Sequence, residues 1–432
     1  LENYGVKVRV EYSTFGTNEE MYSQLTLGSM YDLVCPSDYM IMKLMSEGML
    51  EPLSDGFFDK NKEENYYYRG VSPYIEGIFE QNEINGETWS RYAAGYMWGI
   101  TGMLYNPEYV DPEDASTWNI LANDKYFRQV TIKDNVRDAY FPTLAMLNSE
   151  KLTDGDFVSS PDYQEKLARL MNDTDSATIQ KAEEKLKQIR ENVYSFETDS
   201  GKSDMVSGKV VANLQWSGDA VYAMDQAEDD GLELCWAVPE ECTNLWFDGW
   251  VMLNKGINGD DSKKQAAEAF INFMSRPDNA VRNMYYIGYT SAIAGGDSTL
   301  IYEYLEWCYG AEEDETDTIE YPVGYFFTGD GEDAEYIVTA PAEQANRQLS
   351  AQYPSEEQIS KSAVMWYFND KANEEINRMW INVRCFNLNM ISGRSWLIAG
   401  CVAASAALLA LILVFRHKIF RRPVPRGYKR VE

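Results

Sequence analysis

Residues 31–50, YDLVCPSDYMIMKLMSEGML, read as a buried apolar strand that ends in a turn at Pro36-Ser37 and restarts as a helix through MIMKLMSEGML. The same alternation continues outward in both directions. VKVRVEY, residues 6–12, reads as a strand, and TNEEMYSQLTL, residues 17–27, as a helix with Thr17 at its N-cap and Glu20 three positions later, a capping box. Ile179, Ala182, Leu186, Ile189 and Val193 recur at three- and four-residue spacing, so 178–194 is an amphipathic helix. VVANLQ, residues 210–215, is a second buried strand, followed by the turn Trp216-Ser217-Gly218-Asp219. KKQAAEAFINFM, residues 263–274, is a helix ended by Arg276-Pro277. Short apolar strands alternating with helices predict an α/β fold.

The chain has 432 residues, enough for two to four domains or for two lobes sharing one long chain. With 45% hydrophobic and 13% aromatic residues it can bury large cores. Its formal net charge of −31 argues against a nucleic-acid-binding surface, which needs a basic face, and suits a cationic partner. The single histidine, His417, sits in a basic tail, which closes every mechanism that needs a catalytic or zinc-bound imidazole. The six cysteines, Cys35, Cys235, Cys242, Cys308, Cys385 and Cys401, form no CxxC pair. Cys235 and Cys242 flank CWAVPEEC and could close a small loop in an oxidising compartment; two unbridged thiols are equally compatible with the sequence. Residues 311–320, AEEDETDTIE, form a solvated acidic loop, and DGED at 330–333 lacks the twelve-residue calcium loop and its terminal Glu. No metal ligand set, cofactor motif or internal repeat is visible.

Ser395 to Phe415, SWLIAGCVAASAALLALILVF, carries no charge, and about 20 such residues suffice to cross a bilayer as a helix. Trp396 suits the interface, and Arg416, Lys418, Arg421 and Arg422 follow as a stop signal. These features predict a transmembrane helix at 395–415, a cytoplasmic basic tail at 416–432, and a cell-membrane protein whose acidic bulk is extracytoplasmic. The chain opens at Leu1 without methionine, so an exported protein of this kind is expected to be a fragment or a processed form whose targeting segment is not included.

In folds of this class ligands bind beyond the carboxyl ends of the strands. Several turns after predicted strands combine aromatic and acidic residues: Ser37-Asp38-Tyr39, Tyr96 to Gly99, Asp134 to Asp138, Trp216 to Asp219, and Trp246-Phe247-Asp248. Ring faces attract ammonium groups and carboxylates hydrogen-bond them. A wall of rings with carboxylates at its ends is what a linear diamine or triamine requires.

The ordered blocks YSTFGTNEEMY (12–22), YDLVCPSDYMIMKLMSEGML (31–50), YAAGYMWGITGMLYN (92–106), VTIKDNVRDAY (130–140), VVANLQWSGDAVYAM (210–224), LWFDGWVMLNKG (245–256) and INFMSRPDNAVRNMYYIGYTSA (271–292) resemble the polyamine-binding proteins of bacterial ABC importers. The resemblance spans roughly residues 1–385. It implies a two-lobed, type II periplasmic-binding-protein-like α/β fold whose lobes close around spermidine or putrescine. One lobe would hold 1–106 and 247–293, the other 107–246 and 294–386. It implies that Ser37 and Tyr39 line the pocket, that Asp138 and Asp248 hold amines, and that Trp216, Trp246 and Tyr289 supply rings against the methylene chain. The family commonly has an acid where this chain has Asn135, so the resemblance predicts a weaker hold on a multiply charged ligand, or a shifted selectivity. Its first strand and an aromatic turn would lie upstream of Leu1. It implies no cofactor and no catalysis; the partners are a polyamine, an ABC permease and, through the C-terminal helix, the membrane, with the binding protein monomeric and no nucleic acid involved. Another small solute (an iron complex, a sugar or an amino-acid derivative) or a tethered surface sensor is the alternative. An enzyme lacks support because no nucleophile elbow, phosphate loop or metal-ligand cluster occurs.

Overall fold

Two long strands, Ala93–Tyr105 and Thr243–Leu253, organise the fold of this computed structural model, which describes residues 8–385. Their sequences, AAGYMWGITGMLY and TNLWFDGWVML, are dominated by apolar and aromatic residues, and both strands are buried along almost their whole length, as strands covered on two faces must be. They pair antiparallel, with Leu245 opposite Ile100 and Val251 opposite Ala93, and the register shifts between Asp248 and Gly249. Leu33–Val34 and Leu50–Glu51 lie antiparallel to Thr243–Leu253. From Thr101 onward the Ala93–Tyr105 strand changes partners: Thr101 to Tyr105 pair with Ala212–Trp216. Val130–Lys133 and then Ser195–Glu197 continue that half of the sheet in parallel. The path is therefore Leu33–Val34, Thr243–Leu253, Ala93–Tyr105, Ala212–Trp216, Val130–Lys133, Ser195–Glu197, an antiparallel half and a parallel half joined through one strand.

Helices cover this mixed sheet where the apolar spacing predicts them. The 178–194 pattern forms the helix Ser176–Asn192, burying Ile179, Ala182, Leu186 and Ile189. The 263–274 pattern forms Asp261–Met274, and Pro277 opens the next helix at the position where its missing N–H costs nothing. Thr17 caps Asn18–Thr26 by accepting from the Glu20 backbone N–H at 3.1 Å. The Glu20 carboxylate accepts from the Gly16 N–H at 3.2 Å, one residue outside the reciprocal bond of a full capping box. The turn expected at 216–219 is shorter than its sequence suggests, because Ser217 already begins the helix Ser217–Asp229.

Three expectations change and one open reading, that of Cys235 and Cys242, is decided. Tyr96 to Gly99 and Trp246 to Asp248, expected in turns after strands, lie inside Ala93–Tyr105 and Thr243–Leu253, because the apolar runs on both sides of them pair as one continuous ladder. The strand expected at 6–12 is not present over the described residues 8–12, where Val10 and Tyr12 are exposed; their alternation has no partner strand and no core to face. Cys235 and Cys242 are free thiols, both buried, and close no loop. The membrane location is corrected as well: among the described residues no helix is long and apolar enough to cross a membrane. The expected span at 395–415 and the tail at 416–432 lie outside the described residues.

One buried charge pair stiffens the parallel half. Lys133 Nζ lies 2.9 Å from Glu197 Oε1, with both side chains 1% exposed. Glu197 also accepts from the Gly201 N–H at 2.8 Å, which offsets part of the cost of removing a carboxylate from water.

Candidate ligand-binding site

The turn at Pro36-Ser37 becomes a site because it meets the middle of Thr243–Leu253. Ser37 is the N-cap of the helix Asp38–Ser46. Its backbone forms an isolated antiparallel bridge with Asp248, and its hydroxyl donates to Asp248 Oδ1 at 2.7 Å. The Asp38 carboxylate next to it turns inward: Oδ1 accepts from the Tyr39 N–H at 2.6 Å and Oδ2 from the Phe247 N–H at 3.1 Å. Asp38 thereby ties the helix to the strand, and burial pushes its carboxyl up to about 8 against the pull of those two donors. Asn18 Nδ2 donates to the Ser37 hydroxyl at 3.0 Å and to the Tyr39 hydroxyl at 3.1 Å, while the Tyr39 hydroxyl donates to Glu19 Oε1 at 3.1 Å.

Residues of a strand two apart share a face, so Trp246 and Asp248 point the same way. The Trp246 ring packs against Tyr289, with centroids 5.5 Å apart. It lies over Gly99 on the paired strand, where a Cβ would meet both the Trp246 ring and the Ser217 hydroxyl, so only glycine fits. Gly218 has the same role beneath Tyr289, whose ring would overlap any side chain there. The Tyr289 hydroxyl donates to Asp219 Oδ1 at 3.0 Å, and Lys202 Nζ lies 3.1 Å from Asp219 Oδ2. Burial raises the Tyr289 phenol well above its ordinary value, with further pushes from Asp219, Asp248 and Asp138.

The third component comes from the parallel half. Asn135 caps the helix Val136–Leu147 by accepting from the Arg137 N–H at 2.8 Å, which sets Asp138 in the first turn. Trp216, at the end of Ala212–Trp216, donates from its indole N–H to Asp138 Oδ1 at 3.2 Å. The Lys133 ammonium lies 4.3 Å from the centre of the Trp216 ring. Burial lifts the Asp138 carboxyl to about 6, opposed by the Trp216 indole and then by Lys133 and Arg137. Burial also lifts Asp248 to about 6, opposed by the Ser37 hydroxyl.

Of the residues singled out in the sequence, Ser37, Tyr39 and Asp248 meet through Asn18 and Ser37, Trp246 meets Tyr289, and Trp216 meets Asp138. Asn135 is seated in the same turn as Asp138 but spends its side-chain oxygen on a helix cap. Arg137, Asp38 and Asp219 lie inside turns that stand out in the sequence, yet nothing in their spacing distinguishes them from the neighbours chosen. Asn18, within the 12–22 block, and Lys202 are not singled out by spacing and reach the site from other parts of the chain. Phe368 likewise meets the Arg137 guanidinium, whose carbon lies 4.0 Å from its ring centre and 3.8 Å from that of Tyr39.

Asp138 and Asp248 are each held by one neutral donor, with no Lys or Arg nitrogen within 4 Å among the described residues. Lys133 and Arg137 act on Asp138 only from beyond ion-pair distance, and Asp248 has the Ser37 hydroxyl alone; carboxylates displaced in pKa by burial with so little compensation mark places where a cation is stabilised. Residues 1–297 match a family of bacterial extracellular solute-binding proteins. The chain belongs to that family. It is 28% identical over 284 residues to the spermidine/putrescine-binding periplasmic protein of Salmonella typhimurium, covering 65% of this chain and 70% of that protein. In fold it is similar to the spermidine/putrescine ABC transporter substrate-binding protein PotD of Streptococcus pneumoniae, with TM-score 0.58 and 23% identity over 89% of this chain and 92% of that one. It is likewise similar to the TpPotD lipoprotein of Treponema pallidum, with TM-score 0.60 and 18% identity over 89% and 93% of the two chains. The family binds solutes, and its fold is the periplasmic-binding-protein-like α/β fold expected from the sequence.

Proposed function

We propose that this extracytoplasmic binding protein captures a polyamine and delivers it to an ABC transporter permease. The observation that carries this reading is the pair Asp138 and Asp248, two desolvated carboxylates that form no ion pair within 4 Å among the described residues, set beside the rings of Trp216, Trp246 and Tyr289. The 28% identical relative is named for spermidine and putrescine, which supports the same ligand class. Each carboxylate holds one ammonium, and the rings cover the methylenes between them; burying an ammonium without such a partner costs several kcal/mol. The ligand lies between two lobes, 1–106 with 247–293 and 107–246 with 294–386, and Ala93–Tyr105 and Thr243–Leu253 carry the chain between them. The protein performs no chemistry and acts as a monomer.

The test is calorimetric titration of the 432-residue chain with putrescine, spermidine and spermine. Saturable binding at about micromolar affinity or tighter to at least one of them is expected, the range of a specific small-ligand site. A folded sample that gives no binding heat with any of the three refutes the reading.

A further inference from the structure

Behind the Trp216 ring the parallel half of the sheet carries a polar layer where such strands are ordinarily apolar. Residues two apart on a strand share a face, which puts Thr131 with Lys133 and Asn213 with Gln215. The register sets Asn213 beside Thr131 and Glu197 beside Lys133. All five residues are at most 4% exposed. They form one connected chain. Lys133 Nζ lies 2.9 Å from Glu197 Oε1. Asn213 Nδ2 donates to the Thr131 hydroxyl and, at 3.4 Å, to Glu197 Oε1. Gln215 Nε2 donates to Asn213 Oδ1 at 2.8 Å, and Gln215 Oε1 accepts from the Trp216 backbone N–H at 3.1 Å. Gly201 closes over this layer, where a Cβ would meet both the Asn213 amide and the Glu197 carboxylate.

An apolar layer of the same shape would be at least as stable, so the charges call for a reason other than stability. The layer ends at the ligand site. The Lys133 ammonium lies over the Trp216 ring, 4.3 Å from its centre, and the indole N–H of that ring donates to Asp138 Oδ1 at 3.2 Å. Trp216 is therefore held at its backbone by Gln215, at one ring face by an ammonium and at its N–H by a carboxylate. A ring that already has a cation on one face is a poor seat for a second cation on the other, so its open face suits methylene groups. The charges acting on Asp138 itself are Lys133 and, more weakly, Arg137 on the positive side and Glu19 on the negative, with the Tyr39 and Tyr289 phenols nearby.

We propose that Lys133, with Glu197 as its counter-ion, is a positioning residue of the ligand site: it fixes the Trp216 ring so that the N–H meets the carboxylate that takes an ammonium and the open face meets methylenes. This rests on the polyamine reading and adds to it the buried layer that sets one end of the site before a ligand enters.

NMR of the full chain carrying isotope-labelled tryptophan, without ligand, tests the ring directly. The Trp216 indole proton, assigned through Trp216→Phe, is expected to exchange with water at least about tenfold more slowly than that of the exposed Trp307. In the paired variant Lys133→Met with Glu197→Gln, which removes both charges together, Trp216 exchange is expected to accelerate at least about fivefold while Trp246 exchange stays unchanged. Calorimetric titration of the same variant is expected to show putrescine bound at least about tenfold more weakly than by the parent. Parent exchange at Trp216 as fast as at Trp307, or a folded variant with parental exchange or parental affinity, overturns the proposal. Equal acceleration at Trp216 and Trp246 overturns it as well, since it marks general loosening. Lys133→Gln with Glu197→Gln, which keeps an amide pair, carries the same expectations if the first pair does not fold; failure of both to fold makes the layer structural and overturns a positioning role. Absence of binding by the parent to every polyamine refutes the polyamine reading, whereas the exchange rates read Lys133 without any ligand.

Discussion

Replacing Asp248 by asparagine separates a binding role from a structural one, because the two predict opposite changes. In the free protein the Asp248 carboxyl is desolvated and held by one hydroxyl, that of Ser37 at 2.7 Å, so its pKa rises to about 6 from an ordinary value near 4. A carboxyl whose folded pKa is raised binds more protons folded than unfolded, so its contribution to stability falls as pH climbs through that interval. Two units correspond to at most about 3 kcal/mol of destabilisation at pH 7, and solvent at this partly exposed group reduces that figure. An asparagine side chain carries no such penalty and can still accept from Ser37. The Asp248→Asn protein without ligand is therefore expected to melt at the parent temperature or a few degrees above it at pH 7.

With ligand the sign reverses. Losing the partner of a desolvated ammonium costs about 2–5 kcal/mol, which at about 1.4 kcal/mol per decade is roughly a 30- to 4,000-fold weaker Kd. The assay is a calorimetric titration with putrescine beside a thermal melt of the same preparation. Affinity within a few-fold of the parent, in a protein that melts normally, would refute the assignment of Asp248 to an ammonium. Loss of affinity together with a much lower melting temperature would instead make Asp248 a structural residue.

Polyamine affinity should fall with acid: Asp138 and Asp248 both titrate near 6 in the free protein, and an ammonium competes with the proton on each, so Kd at pH 5 should be at least about tenfold weaker than at pH 7.5, and a flat profile would contradict the pairing. Asn135→Asp restores an acid one turn from Asp138 and can cap the helix equally well, so spermidine affinity should rise with little change in melting temperature; a protein that gains nothing for any triamine would show that this position faces no ammonium. Gly218→Ala forces the Tyr289 ring aside and should cost about 1–3 kcal/mol of stability together with ligand affinity, measured by denaturant unfolding and titration. Lys133→Met leaves Glu197 buried without its cation and should destabilise the fold by about 3–5 kcal/mol, a loss that chemical denaturation reads directly.

The alternation of strands and helices was readable from spacing because the helices each bury one face and the two long strands are apolar almost throughout. The edge was not. VKVRVEY has the pattern of a strand, but pattern specifies only which side chains could face a core, and residues 8–12 face none. Pairing is decided by what lies alongside, which no local window contains. The same reason explains the uneven legibility of the site. Ser37 sits in the turn after a short apolar strand, which advertises it; Trp246 and Asp248 stand out by type, a ring and an acid in an apolar run, but lie in the middle of Thr243–Leu253 and not in the turn the sequence suggests. Asn18 and Phe368 are brought in from helix and loop positions whose neighbours look ordinary, so only the folded register exposes them.

Arg137 shows the limit most clearly, because its meaning depends on two rings distant in sequence. Read along the chain, DNVRDAY offers two acids around a basic residue, and the base looks like a solvated helix-end charge. In the fold the order of importance changes. Asn135 accepts from the Arg137 backbone N–H, the Arg137 guanidinium meets the Tyr39 ring, and Asn18 donates to both the Tyr39 and the Ser37 hydroxyls. An acid at 135 would place a carboxylate within one turn of Asp138 and offset the positive charge at 137. The turn that Asn135 caps therefore supplies a carboxylate to Trp216 and a guanidinium to the Tyr39 and Phe368 rings, two contacts in different directions from adjacent residues, which no reading along the chain could separate.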